Sequence, residues 1–138
     1  MTQEKFFVDA IHIFQKLVDE IPESDLADDA LYNIGLCYFE MNQLQKSIEV
    51  LEEMIEKYPE ATITALENAN QFGKTAAKAY YLIVLCYIGL NDIQKAESYI
   101  SIVQKYTNTY VLRDKVKITF AQLASEALKT FINQKKGE

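Results

Sequence analysis

The sequence predicts an all-α fold in which antiparallel helix hairpins stack into a short solenoid of about six main helices. Three observations carry that prediction. Two segments, 28–61 and 77–110, repeat each other without a gap over 34 residues at a register of 49. Inside each, apolar residues recur at helical spacing. Turn formers are scarce: 4 Gly and 2 Pro in 138 residues are too few for an all-β chain, which needs a turn signal about every ten residues.

Across the register, Leu31 pairs with Tyr80, Ile34 with Ile83, Cys37 with Cys86 and Tyr38 with Tyr87. Farther along, Leu44 pairs with Ile93, Ser47 with Ala96, Leu51 with Ile100 and Met54 with Val103. Each segment reads as two helices around a short polar turn. In the first, Asn42-Gln43 interrupts one apolar stripe, and a second stripe ends at Tyr58-Pro59, because the residue before proline is pushed out of the helical region. In the second segment the break falls at 89–92. Gly35 in the first helix and Ser47 or Ala96 in the second are small, which lets the two helices approach closely. A mid-helix glycine costs about 1 kcal/mol against alanine, so close packing is the reason to expect for it.

The spacing Leu31-x2-Ile34-Gly35-x2-Tyr38, then Ser47-x3-Leu51, then Pro59 resembles the tetratricopeptide-repeat signature. The second segment departs from it with Val84 in place of the glycine and Asn108 in place of the proline. The likeness extends outward at a spacing of 37: Ala10, Phe14, Leu17 and Pro22 precede Ser47, Leu51, Met54 and Pro59, and Phe120, Ala121 and Ala124 follow Ile83, Val84 and Tyr87. One domain over 1–138 is therefore expected. It comprises a half-repeat helix at 3–21, a repeat at 28–61, an insertion at 62–76, a repeat at 77–110 and a capping helix at 113–134. In the insertion, 62–69 reads as two helical turns and 70–74 as a loop punctuated by Gly73; a packed connector and a functional loop are both open. The resemblance implies a right-handed superhelix. The ends around Pro22 and Pro59 resemble bacterial envelope-associated repeat proteins, such as the coordinator of the Tol-Pal system.

Charge narrows the function classes. The net charge of −6 opposes non-specific nucleic-acid binding. It is unevenly spread: 1–61 carry 14 acids against 4 Lys, net −10, whereas 62–138 carry 6 acids against 10 Lys and Arg, net +4. No apolar run is long enough for a membrane span, and the N-terminus has no secretory pattern. The expectation is a cytoplasmic chain as given, or a periplasmic domain of a longer protein.

No enzyme constellation is found, and no cofactor or metal set. His12 is the one histidine and reads as a surface residue. Cys37 and Cys86 hold the same repeat position and read as buried apolar thiols. The acid pairs Asp19-Glu20, Asp28-Asp29 and Glu52-Glu53 point about 100° apart on a helix and do not converge. Asp28 and Asp29 suit a helix start, with Asp25 a candidate cap.

By the resemblance, the first helices of the hairpins line a concave groove that binds another protein or peptide. Carried over, the contact positions are Asp29, Tyr32, Asn33, Leu36, Phe39 and Glu40 in the first repeat. In the second they are Lys78, Tyr81, Leu82, Leu85, Ile88 and Gly89, and the capping helix adds Ile118 and Gln122. Core packing alone does not account for Leu36, Phe39, Leu85 and Ile88, since both first helices are apolar on every side. Either the capping helix or the insertion fills the groove, or it takes an apolar or amphipathic peptide segment. The carboxylate clamp of chaperone-tail binders is not matched, since Leu82 and Asp29 replace its asparagine and basic positions. The first helix is apolar around most of its circumference, and a bare face is expected at Phe7 and Ile11, pointing to self-association. Three functions follow: a protein-binding adaptor or scaffold module, a homo-oligomerising structural domain, and a small secretion-type chaperone.

Overall fold

A computed structural model describes residues 2–64 and 70–137. Six helices make the framework: α1 (Gln3–Glu20), α2 (Ala27–Glu40), α3 (Leu44–Lys57), α4 (Thr75–Gly89), α5 (Ile93–Val103) and α6 (Phe120–Lys136). Each packs against its neighbours in chain order, and α4 also touches α2 and α6. The architecture is the helical repeat solenoid expected from the period. Its core is a single cluster running from Val18 through Leu31, Ile34, Leu51, Ile83 and Val103 to Leu128.

The two hairpins close in the same way. Asn42 and Asn91 each adopt φ of 60°, a left-handed conformation that asparagine tolerates better than most residues. Gln43 N–H donates to Tyr38 O and Asp92 N–H to Tyr87 O, both at 2.8 Å, while Asn42 and Asn91 N–H donate to Phe39 O and Ile88 O at 2.9 Å. This pairing caps the helix carbonyls that would otherwise lack partners. Asp92 then caps α5 by accepting from Lys95 N–H. The expected cap at Asp25 is not formed; Ser24 Oγ instead accepts from Leu26 N–H at 3.1 Å, just before α2.

Close approach at Gly35 is confirmed. A Cβ placed there would lie 2.7 Å from Leu51 Cδ2, and Ser47 Oγ donates to Gly35 O at 2.7 Å. Within the second hairpin Tyr99 stacks on Tyr87 at 5.4 Å, and its hydroxyl joins that hairpin to the first by donating to Glu52 of α3 at 3.0 Å.

The C-terminal element differs from the expectation. Residues 113–119 are not helical. They belong to a hairpin of β2 (Tyr110–Arg113) and β3 (Val116–Thr119), turned by Asp114 and Lys115 with φ of 51° and 67°. Two consecutive positive φ values match the right-handed twist of the flanking strands. Val111, Val116, Ile118 and Thr119 are β-branched and favour the pleated surface, so the helix starts only at Phe120. Thr119 caps it, forming a reciprocal capping box with Gln122.

Of the insertion, 62–64 and 70–76 are described. Its first part is extended rather than helical: Thr62 bridges Lys74, and Ile63 N–H donates to Gly73 O at 2.8 Å. The rest of the expected helical stretch, 65–69, lies outside the described residues. The expected loop at 70–74 contains β1 (Gln71–Phe72), which pairs antiparallel with β2 to give a three-stranded sheet of order β1-β2-β3. Gly73 has φ of +110°, and a Cβ there would lie 2.5 Å from Thr109 Oγ1, so glycine is required on both counts.

Candidate functional site

The contact positions expected from the resemblance lie mainly on α2 and α4, and the two ends of these helices differ in burial. At the first turns of α2 and α4 the side chains are closed off from solvent. Asp28, Asp29, Thr75 and Lys78 are all buried. Thr75 Oγ1 donates to Asp28 Oδ2 at 2.6 Å. The Lys78 ammonium lies 4.2 Å from the centroid of the Tyr32 ring, within range of a cation–π attraction. Asp29 and Lys78 occupy the same repeat position, 49 residues apart, so the stacking of one repeat on the next brings opposite charges into one dry region.

Burial shifts the titration of Asp29 and Lys78. It pushes the Asp29 carboxyl up; Thr64 and Lys78 oppose that shift and Asp28 adds to it. It pulls Lys78 down to about 8, with Asp29 and Asp28 opposing. Both directions follow from the cost of holding a charge away from water. The two acids also sit in the first turn of α2, where the helix dipole favours them.

Four of the expected contact residues are therefore corrected. Asp29, Tyr32, Lys78 and Leu82 are buried and are not on an open groove surface. Asn33 is half-buried and spends its amide on its own helix, donating to Asp29 O at 2.8 Å. Ile118 sits on β3 opposite Val111, not on a capping helix. Gln122 is engaged at the start of α6, where its Oε1 accepts from Thr119 N–H at 2.8 Å.

The other end stays open. Leu36, Phe39, Leu85 and Ile88 are half-buried and pack against the core from its edge. Glu40 stands exposed beside them. Tyr81 lies between the two ends, with its ring 5.5 Å from Phe120. Along α2 and α4 the first turns are thus buried, and these later apolar side chains are only half-buried.

With that geometry in place, two family models match the two hairpins. A tetratricopeptide-repeat model covers residues 29–61, and a second covers 77–101. Each match takes in most of a hairpin, so both hairpins resemble tetratricopeptide repeats. Such repeats generally mediate protein–protein interactions and are typically non-catalytic. The human "Tetratricopeptide repeat protein 6" is 32% identical over 95 residues, covering 64% of this chain and 16% of that protein. The chain accordingly spans about a sixth of the length of the curated relative it matches. The matches reach the repeat family and not the bacterial envelope subtype suggested by Pro22 and Pro59.

The remaining candidates are also placed. Cys37 and Cys86 are free and buried, and burial raises both thiols. His12 is exposed. Among the described residues no group of three or more His, Cys, Asp or Glu is arranged to hold a metal ion, and no helix is long and apolar enough to cross a membrane. On α1 the expected bare face is corrected. Phe7 and Ile11 are half-buried towards α2, whereas Phe6 and Ile13 are 58% and 69% exposed. What sequence reasoning missed is the buried pairing of Asp28 with Thr75 and of Lys78 with Tyr32; the opposite charges at one repeat position were its signal.

Proposed function

We propose that this chain binds an apolar or amphipathic segment of another polypeptide along Leu36, Phe39, Leu85 and Ile88. One observation carries the reading. These four side chains remain part-exposed along α2 and α4, and they lie at positions the repeat family uses for contact. An amphipathic helix laid into a groove anchors through residues spaced three or four apart, and the four side chains offer it two pairs of apolar contacts. Glu40 at the rim favours a basic residue beside the apolar anchors. Asp29, Tyr32, Lys78 and Leu82 act behind this surface, holding the first turns of α2 and α4 together.

The test is peptide-array or pull-down binding by the Leu36→Glu/Leu85→Glu double variant, with helicity checked by circular dichroism. Completing the burial of two leucines contributes about 2 kcal/mol, so binding is expected to weaken by at least about tenfold. Unchanged binding by a folded double variant refutes the groove assignment.

A further inference from the structure

Within the first repeat, α3 seats on α2 through small residues: Ser47 Oγ donates to Gly35 O at 2.7 Å, and Leu51 fills the space above Gly35. The register places Ala10 of α1 where Ser47 stands in α3, and Ala121 of α6 where Gly35 stands in α2. So α1 is a second-type helix and α6 a first-type helix. Among the described residues, α1 has no first-type helix on its Ala10 stripe, where Phe6 and Ile13 are 58% and 69% exposed. Likewise α6 has no second-type helix following it. Beside it a cleft of about 350 Å³ runs between α5 and α6, floored by Ile100, Leu128 and Ile132 and flanked by Ser125. A second opening continues it past Ser125 to Ala121.

We propose that α1 of one copy seats in the α5–α6 cleft of a second copy. The contact remakes between two molecules the hairpin that α2 and α3 make within one, with Ala10 meeting Ala121. Charge favours this pairing over a symmetric one. Residues 1–61 carry a net −10 and 62–138 a net +4. A symmetric α1–α1 contact sets two acidic halves face to face, whereas the head-to-tail contact brings the acidic half of one copy to the net-positive half of the other, with Lys129 against Glu97 and Glu126 at the cleft itself. The two faces are different surfaces, so each docked pair still offers one free α1 and one free cleft, and assembly continues until a ring closes.

Sedimentation velocity over a concentration series tests this with Ile13→Glu, which spoils the α1 face, and Ser125→Glu, which spoils the cleft. Both positions are exposed, so circular dichroism is expected to be unchanged. Wild type is expected to grow past dimer with concentration, less so in high salt. Each variant alone stays monomeric, because every contact needs one face of each kind. Mixed in equal amounts, the two variants form a dimer that grows no further. A wild type that stays monomeric up to its solubility limit overturns the proposal and leaves these faces to other partners. Self-association of Ser125→Glu alone overturns it in favour of a symmetric α1 contact, and self-association of Ile13→Glu alone removes α1 from the interface.

Discussion

Replacing Gly35 by alanine tests how tightly the first hairpin is closed. By helix propensity alone the change stabilises α2 by about 1 kcal/mol. The structure reverses the sign. The new methyl would stand 2.7 Å from Leu51 Cδ2 and 2.8 Å from Leu51 Cγ. Leu51 is fully buried, so the overpacking costs about 1–3 kcal/mol. Spreading the helices also stretches the 2.7 Å bond from Ser47 Oγ to Gly35 O, a further loss of about 1 kcal/mol. The expected net effect is destabilisation by about 2 kcal/mol, read as a lower urea midpoint with an unchanged slope. A double-mutant cycle makes the test specific. Leu51→Ala alone leaves a cavity and costs about 2–5 kcal/mol, but in its presence Gly35→Ala is expected to stabilise, since its methyl then enters vacated space. A Gly35→Ala variant more stable than wild type by about the propensity gain refutes the close approach.

Three further outcomes are expected. Gly73→Ala meets both the positive φ and Thr109, and should lose about 2–3 kcal/mol together with hydrogen-exchange protection at Leu112, whose N–H donates to Asn70 O. Asn42→Ala and Asn91→Ala should each cost about 1 kcal/mol and add, because the two turns lie in different hairpins; the glycine versions should be neutral or stabilising, by thermal denaturation. Burial pulls Lys78 from 10.5 to about 8, so the unfolded chain holds its proton over a window in which the folded chain has released it. The stability of wild type relative to Lys78→Met should therefore rise between about pH 8 and 10.5, by up to about 3 kcal/mol, and be flat below that window. Urea unfolding of both proteins at pH 7, 8.5 and 10 reads the difference, and a constant gap contradicts it.

The helical framework was legible because its signal is long: 34 residues repeat in register, and small residues at Gly35, Ser47 and Ala96 mark where the helices touch. The sheet was not, because strands of two to four residues carry too few alternations to compete with a helix extrapolated from a neighbouring repeat. The groove was half legible. Family positions give the direction a side chain takes from its helix, but not what the chain lays over it. Asp29 and Lys78 were assigned to the surface for that reason, and Ile63 and Thr64 in the connector pack beside the end they occupy. On α1, apolar residues surround most of the helix, so only packing on α2 decides that Ile11 turns inward and Ile13 outward.

The short sheet bears on how the molecule comes apart. A plain repeat array unfolds piecewise, since each unit leans only on its neighbours. Here β1 precedes α4 and β2 follows α5, and their pairing fastens the second hairpin into a clasp shut at its own base. Loss of that hairpin must open the clasp, and opening the clasp strips β3 and the start of α6 of their support. Fraying from the C-terminal side is thus coupled to the middle of the chain. The contact joins Gln71 to Val111, a sequence separation far longer than any within a hairpin.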